Sequence, residues 1–200
     1  MKTKFLATLA IVVLAVVSTN STYSAVKNNG REVSTVLNGI SQINKIEIHG
    51  NVELYVSDGN ADQVKVYNQY YAESALVQGQ NGVLRISSYK AEKLVIWVTA
   101  KDLREIAAYD NADVKSFGSL SKIDLDVKLY NNATAQLKLE AYKTSITVND
   151  NAKIKLTGSV NDFYLTYAQA ATVSNENFIT VNETKTQVTA RSNRNDIAGL

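Results

Sequence analysis

A seven-residue motif written four times limits this chain more than any other feature. It reads Ala108-Tyr109-Asp110-Asn111-Ala112-Asp113-Val114, Leu129-Tyr130-Asn131-Asn132-Ala133-Thr134-Ala135, Val148-Asn149-Asp150-Asn151-Ala152-Lys153-Ile154 and, more loosely, Tyr167-Ala168-Gln169-Ala170-Ala171-Thr172-Val173. The central alanines stand at 112, 133, 152 and 171, so the spacings are 21, 19 and 19 residues. Self-similarity at such a period is the mark of stacked circuits of chain. Period-two alternation runs through each copy: Leu125, Val127, Leu129, Ala133, Ala135 and Leu137 are all odd, and Ile146, Val148, Ala152, Ile154 and Leu156 are all even. Each copy therefore reads as two strands meeting at a corner. Asp110, Asn131 and Asp150 stand at the corner because Asn and Asp best tolerate left-handed backbone angles among residues other than glycine. Gln169 holds the fourth corner. Ala112, Ala133 and Ala152 are small enough to lie just inside, and Asn111, Asn132 and Asn151 are expected to stack as an amide ladder.

The chain before the repeats alternates as well. Ile46, Ile48, Val52, Leu54 and Val56 share a face, with a turn at Gly50-Asn51. Val64 and Val66 mark a third strand, Gln80-Asn81-Gly82 opens the strand of Val83, Leu84 and Ile86, and Leu94–Val98 is apolar on both faces, like a strand covered on two sides. Ala72–Val77 is helix-like but too short to stand alone. These patterns predict an all-β fold, a right-handed parallel β-solenoid or β-helix with ~19–21-residue coils, some nine of them at the ~4.8 Å strand spacing. The alternative is a β-sandwich of hairpins; its Asn-Gly turn signals, Asn29-Gly30, Asn38-Gly39 and Asn81-Gly82, all precede the repeats.

The N-terminus reads as an address. Lys2 and Lys4 precede an apolar run from Phe5 to Val17, broken only by Thr8, and then small polar residues. That is the order of a secretory signal over residues 1–25, with cleavage between Ser18 and Ala25. At about 13 residues the run falls short of the ~20 needed to span a bilayer. The expected organisation continues with a lead-in segment 26–42, a repeat domain 43–190 and a polar tail 191–200. The protein is expected to be exported, whether periplasmic, on the outer surface or secreted, with no transmembrane segment in the mature chain.

Composition excludes several chemistries. There is no cysteine, which removes disulfides and thiolate chemistry. The formal charge of +2, less Lys2 and Lys4, leaves a mature chain near neutrality, with no basic excess to neutralise phosphates, so nucleic acid is not an expected partner. One histidine, His49, and no serine elbow argue against acyl transfer and a histidine metal site. The carboxylates Asp124 and Asp126, with Glu105, Asp110 and Asp113 one coil away, are the nearest thing to a glycosidase cluster. Calcium at Asp110 and Asp150 is disfavoured, because the intervening corner is Asn131 and the Gly-rich calcium repeat is missing. No catalytic, cofactor-binding or metal residue is assigned, and no enzyme activity is expected. Eleven tyrosines leave one surface hypothesis: Tyr55, Tyr67, Tyr70 and Tyr71 as a glycan or partner surface. Trp97 is expected to pack in or against the sheet.

Ile43-Asn44-Lys45-Ile46-Glu47-Ile48 with Val52-Glu53-Leu54-Tyr55-Val56, then Asn81-Gly82-Val83-Leu84-Arg85-Ile86 and Val95-Ile96-Trp97-Val98, resembles the opening of the bacterial head GIN domain family, an adhesin-labelled family. The resemblance runs from about Ile40 to Val188 and implies one solenoid turn per repeat, with the family's corner glycine replaced by Asp110, Asn131 and Asp150. It implies no functional residue. The expected function is a non-enzymatic binding or structural module of the cell envelope that presents an elongated β surface to a glycan or envelope protein. The alternatives are a carbohydrate-active enzyme on a β-helix and a self-assembling envelope protein.

Overall fold

A computed structural model of the chain describes residues 34–68, 71–73 and 75–189; the expected signal over 1–25, Tyr70 and the expected tail 191–200 lie outside the described residues. The strands are β1 (Thr35–Leu37), β2 (Lys45–Gly50), β3 (Val52–Asp58), β4 (Gln63–Val66), β5 (Ala75–Gln80), β6 (Val83–Ser88), β7 (Leu94–Ala100), β8 (Glu105–Ala108) and β9 (Asp113–Ser116). Four longer ones follow: β10 (Leu120–Leu129), β11 (Thr134–Val148), β12 (Lys153–Ala168) and β13 (Thr172–Val188). All belong to one curled, 13-stranded mixed sheet, so the two layers of a sandwich do not form. The helix-like stretch is a single 3-10 turn, Tyr71–Glu73, followed directly by β5.

Two parallel rows make up most of the sheet. One runs β7, β3, β9, β11, β12, β13 and the other β6, β2, β8, β10, β11, β12, β13. The long strands belong to both rows because each bends part-way: Thr134 pairs with Asp113 while Val148 pairs with Leu129. Spacing in sequence sets the register, with Asp113 beside Thr134, Thr134 beside Lys153 and Lys153 beside Thr172. The rows stack six and seven strands, fewer than the nine coils expected, and depart from chain order. β2 and β3 lie between the later β6 and β7 and the still later β8 and β9. A wholly parallel sheet is also corrected, since β4 pairs antiparallel with β7, β1 with β4, and β5 with β6. The β5–β6 hairpin turns on Asn81 and Gly82, with φ 51° and 79°, as Asn-Gly favours.

In-register parallel pairing stacks identical faces, so the core is a set of columns. One column is Leu84, Ile46, Ile106, Val127, Ile146 and Leu165, each no more than 2% exposed. Another is Leu94, Val52, Ala112, Ala133, Ala152 and Ala171, running behind the corners. Alanine is the size that fits there: Ala112, Ala133 and Ala152 are fully buried where the chain turns most tightly.

The corners themselves are held by side chains. Asp110, Asn131 and Asp150 have φ of 61°, 58° and 55°, stacked after Gly50 at 82°. The Asp110 carboxylate accepts the Gly50 N–H at 3.0 Å, Asn131 Oδ1 accepts the Asp110 N–H at 3.2 Å, and Asp150 accepts the Asn131 N–H at 2.8 Å. Each corner side chain thus satisfies an amide of the neighbouring corner that strand pairing leaves free. The ladder therefore stands one residue earlier than expected: of the Asn111, Asn132, Asn151 column, one amide contact is made, Asn132 Nδ2 to Asn111 Oδ1 at 3.5 Å. Gln169, in the loosest copy, is not left-handed.

Candidate binding face

The even-numbered residues of β7, from Leu94 to Ala100, are buried, which turns Val95, Trp97 and Thr99 outward. The expectation of a strand covered on two sides is thereby corrected, because the outer side of β7 is covered only by side chains. Register then assembles an aromatic surface. Tyr55 of β3 lies beside Trp97, with ring centroids 5.6 Å apart and planes at 24°, and Phe117, just past β9, leans on Trp97 at 4.6 Å and 59°. Both offset and tilted contacts suit the ring quadrupoles. Phe117 is 60% exposed, so one side of the cluster is open.

Polar groups frame the rings. The Trp97 indole N–H donates to Ser57 Oγ at 3.3 Å, and Ser57 and Thr99 share a 3.0 Å hydrogen bond. The Tyr55 hydroxyl donates to Glu53 at 2.8 Å. Lys115 reaches Glu53 at 2.6 Å and Asp113 at 3.0 Å, and its ammonium lies 5.6 Å from the centre of the Tyr55 ring. The Lys115 hydrogen bond holds the Glu53 carboxyl below its usual range, and the bond to Glu53 raises the Lys115 ammonium. Hydrogen bonding to Glu53, with burial, raises the Tyr55 phenol. All of these groups keep their neutral-pH charges; none is poised to exchange a proton.

Of the four tyrosines singled out from sequence, Tyr55 lies in this cluster and Tyr67 is half-buried past the end of β4, its N–H bonded to the Val95 carbonyl at 3.0 Å. Tyr71 is corrected to a core residue, 8% exposed, and offers no ring to a surface ligand. The rings that sequence reasoning missed are Trp97 and Phe117. Parity could have placed Trp97, which is odd in a strand whose buried residues are even. Nothing local announces Phe117, which depends on pairing across β3. A second stack lies at the corners: His49 on Tyr109 at 4.4 Å and 3°, and Tyr109 on Tyr130 at 4.8 Å and 4°, the spacing of the strands that carry them.

The acidic residues do not form a catalytic pair. Asp124 is bridged by Lys143 at 3.3 Å, Asp126 by Lys128 at 2.8 Å, and Glu105 by Lys45 and Lys128 at 3.1 and 3.2 Å. Burial pushes the Glu105 carboxyl up, but hydrogen bonds from the two lysines outweigh it and hold it low. Asp124 and Asp126 line an open groove of about 700 Å³ beside Lys101, Arg104, Lys122 and Lys143. In that groove Arg104 holds Asp102 at 2.6 Å and keeps its carboxyl low. Asp110 is engaged by backbone N–H, and among the described residues no group of three or more His, Asp or Glu is placed to hold a metal. No helix among them is long and apolar enough to cross a membrane.

A curled all-β mixed sheet with parallel rows, stacked corners and an outward aromatic cluster defines the class of domain. The chain belongs to the family described as "Putative auto-transporter adhesin, head GIN domain", whose model matches residues 42–195. Its fold is similar to that of a putative adhesin from Parabacteroides merdae ATCC 43184, at 16% identity and TM-score 0.62, covering 81% of this chain and 80% of that one. It is also similar to a putative lipid binding protein from Parabacteroides distasonis ATCC 8503, at 11% identity and TM-score 0.60 over 81% and 80% of the two chains. A putative adhesin from the same organism aligns at 15% identity and TM-score 0.57 over 82% and 81%. None of the curated proteins compared with the chain matches it.

Proposed function

We propose that this protein is an exported, non-enzymatic binding module of the bacterial cell envelope, whose repeat strands wind as a right-handed parallel β-solenoid with 19–21-residue coils, and that Tyr55, Trp97 and Phe117 form the face that takes a glycan. The carrying observation is that face: three rings in contact, one of them 60% exposed, framed by hydroxyls and by the ion pairs of Lys115. Ring faces bury the apolar side of a sugar while neighbouring hydroxyls and charged groups bind its hydroxyls. The complete pairing of Glu105, Asp124 and Asp126 supports a role without catalysis, since an acid in glycoside cleavage must be kept protonated. A glycan array probed with the mature chain tests the proposal. Trp97→Ala should weaken the strongest hit at least ~10-fold, as loss of a central aromatic anchor does, while Tyr142→Ala, on an exposed stretch of β11 outside the three-ring cluster, leaves it unchanged. An empty array, or equal effects of the two substitutions, would sink the glycan reading.

A further inference from the structure

β13 ends the sheet in a way no other strand does. Among the described residues it pairs only with β12, so one backbone edge from Thr172 to Val188, 17 residues long, is free. At the opposite end β4 takes the outer edge of β7 and β5 that of β6, both antiparallel, and the edges left there belong to short strands. A head-to-tail stack of copies, β13 against β6 and β7, is thereby blocked. Phe178 still belongs to the core in the first half of β13, but the inward residues of its second half face water: Glu183, Lys185 and Gln187 stand under Phe163, Leu165 and Tyr167, with Lys185 bridged to Glu183 at 2.9 Å. Its exterior is the reverse, for Ile179 and Val181 are each 71% exposed. The edge is interrupted by a register shift between Ser174 and Asn177 and carries inward charges at Glu183 and Lys185. The stretch around Thr180 between them is regular and turns β-branched residues outward, which leaves it a template for another strand.

We infer that β13 is the interface of a symmetric dimer in which the β13 strands of two copies pair antiparallel about a two-fold axis at Thr180, the midpoint of the strand. Only an isologous contact closes when one end of the molecule is capped. The side chains are self-complementary in this register. Ile179 faces Val181 of the second copy, and Val181 faces its Ile179, so four exposed β-branched residues gather on the axis as favourable cross-strand pairs. No like charges face one another over the regular stretch: Glu183 lies across from Asn177, and the register shift at Ser174–Asn177 ends the ladder beyond it. The arrangement leaves the Tyr55–Trp97–Phe117 faces at the two far ends of the pair.

Sedimentation of the mature chain over a wide concentration series is expected to give a mass that rises to twice that of the chain. Ile179→Lys with Val181→Lys would set four ammonium groups around the axis and weaken the dimer at least ~100-fold, with the melting temperature of the monomer unchanged. The chain has no cysteine, so register can be read by cross-linking. A mixture of Ile179→Cys and Val181→Cys should oxidise to a covalent dimer, whereas each variant alone should not, because its two cysteines would sit diagonally and beyond disulfide reach. A monomer at every concentration, a dimer indifferent to the lysines, or cross-links as strong in either variant alone overturns the inference. So does a monomer whose β13 amides exchange as slowly as those of β12, which would mean that chain beyond Val188 already covers the edge. The dimer and the glycan face are read by separate experiments, so either can fail without the other.

Discussion

The two ends of this sheet solve the same problem in opposite ways. At the β6–β7 end the parallel rows stop on apolar residues, Leu84, Ile86, Leu94 and Ile96, all at most 2% exposed, and antiparallel β4 and β5 cover their edges. At the β13 end the column Leu84, Ile46, Ile106, Val127, Ile146, Leu165 simply ends in Lys185, and the neighbouring column of Leu125, Thr144 and Phe163 ends in Glu183. One end spends extra chain to bury its last layer and its edge; the other changes the chemistry of its last layer and leaves the edge open. Stacked sheets cannot avoid having ends, and here one end is covered by strands while the other closes in a polar layer with its backbone edge unpaired among the described residues.

The comparison can be broken most forcefully by truncating one isoleucine at each end, inward Ile96 and outward Ile179. Ile96→Ala at the capped end should cost ~2–5 kcal/mol, as fully buried aliphatic truncations do. Ile179→Ala on β13 should stay within ~0.5 kcal/mol in the monomer. Chemical denaturation of both variants decides the matter, and similar losses would mean that β13 is as enclosed as β7. Midway between the ends, Ala133→Leu should overpack the corner column at ~1–3 kcal/mol, while Asn132→Leu, one residue away and exposed, should be near neutral. Equal effects there would show the corner to be wrongly described.

A stabilising substitution sharpens the gradient from apolar to polar. Thr144 is fully buried between Leu125 and Phe163, and its hydroxyl has no hydrogen-bond partner. Thr144→Val keeps the shape and removes the unmet group, so stability should rise by ~1 kcal/mol in a denaturant titration. A fall would mean that the hydroxyl has a partner. The smallest effect is expected at Glu53. Its folded carboxyl is held below the unfolded value by Lys115, so the ion pair stabilises fully above about pH 4.5 and loses its contribution as pH falls through the lowered folded value. Part exposure keeps this below ~1 kcal/mol. Glu53→Gln should flatten the acid limb of melting temperature against pH and leave the neutral plateau little changed; an unaltered acid limb would count against the pairing.

The core was legible because its signals are local. Parity placed Ala112, Ala133 and Ala152 inside, and all three are fully buried; the permissive residues Asp110, Asn131 and Asp150 carry positive φ. Less legible was what the polar corner side chains bond to. From sequence Asn111, Asn132 and Asn151 look like the stacking column, yet backbone amides of adjacent corners compete for side-chain oxygens, and the residues before them are better placed to serve those amides. The aromatic face was half legible. Tyr55 stood out as one of many tyrosines, but Trp97 and Phe117 join it only because β3 pairs with both β7 and β9, strands that lie later in the chain.

The sequence by itself therefore determined the strands, their inward faces and the 19–21-residue repeat, since alternation and corner chemistry act over a few residues. Tertiary structure alone decided that β2 and β3 slot between later strands, that the first rows are capped antiparallel, and that Tyr71 turns inward while Trp97 turns out. Those outcomes depend on which strand edges remain unpaired after every other strand is placed, and no local pattern encodes that competition.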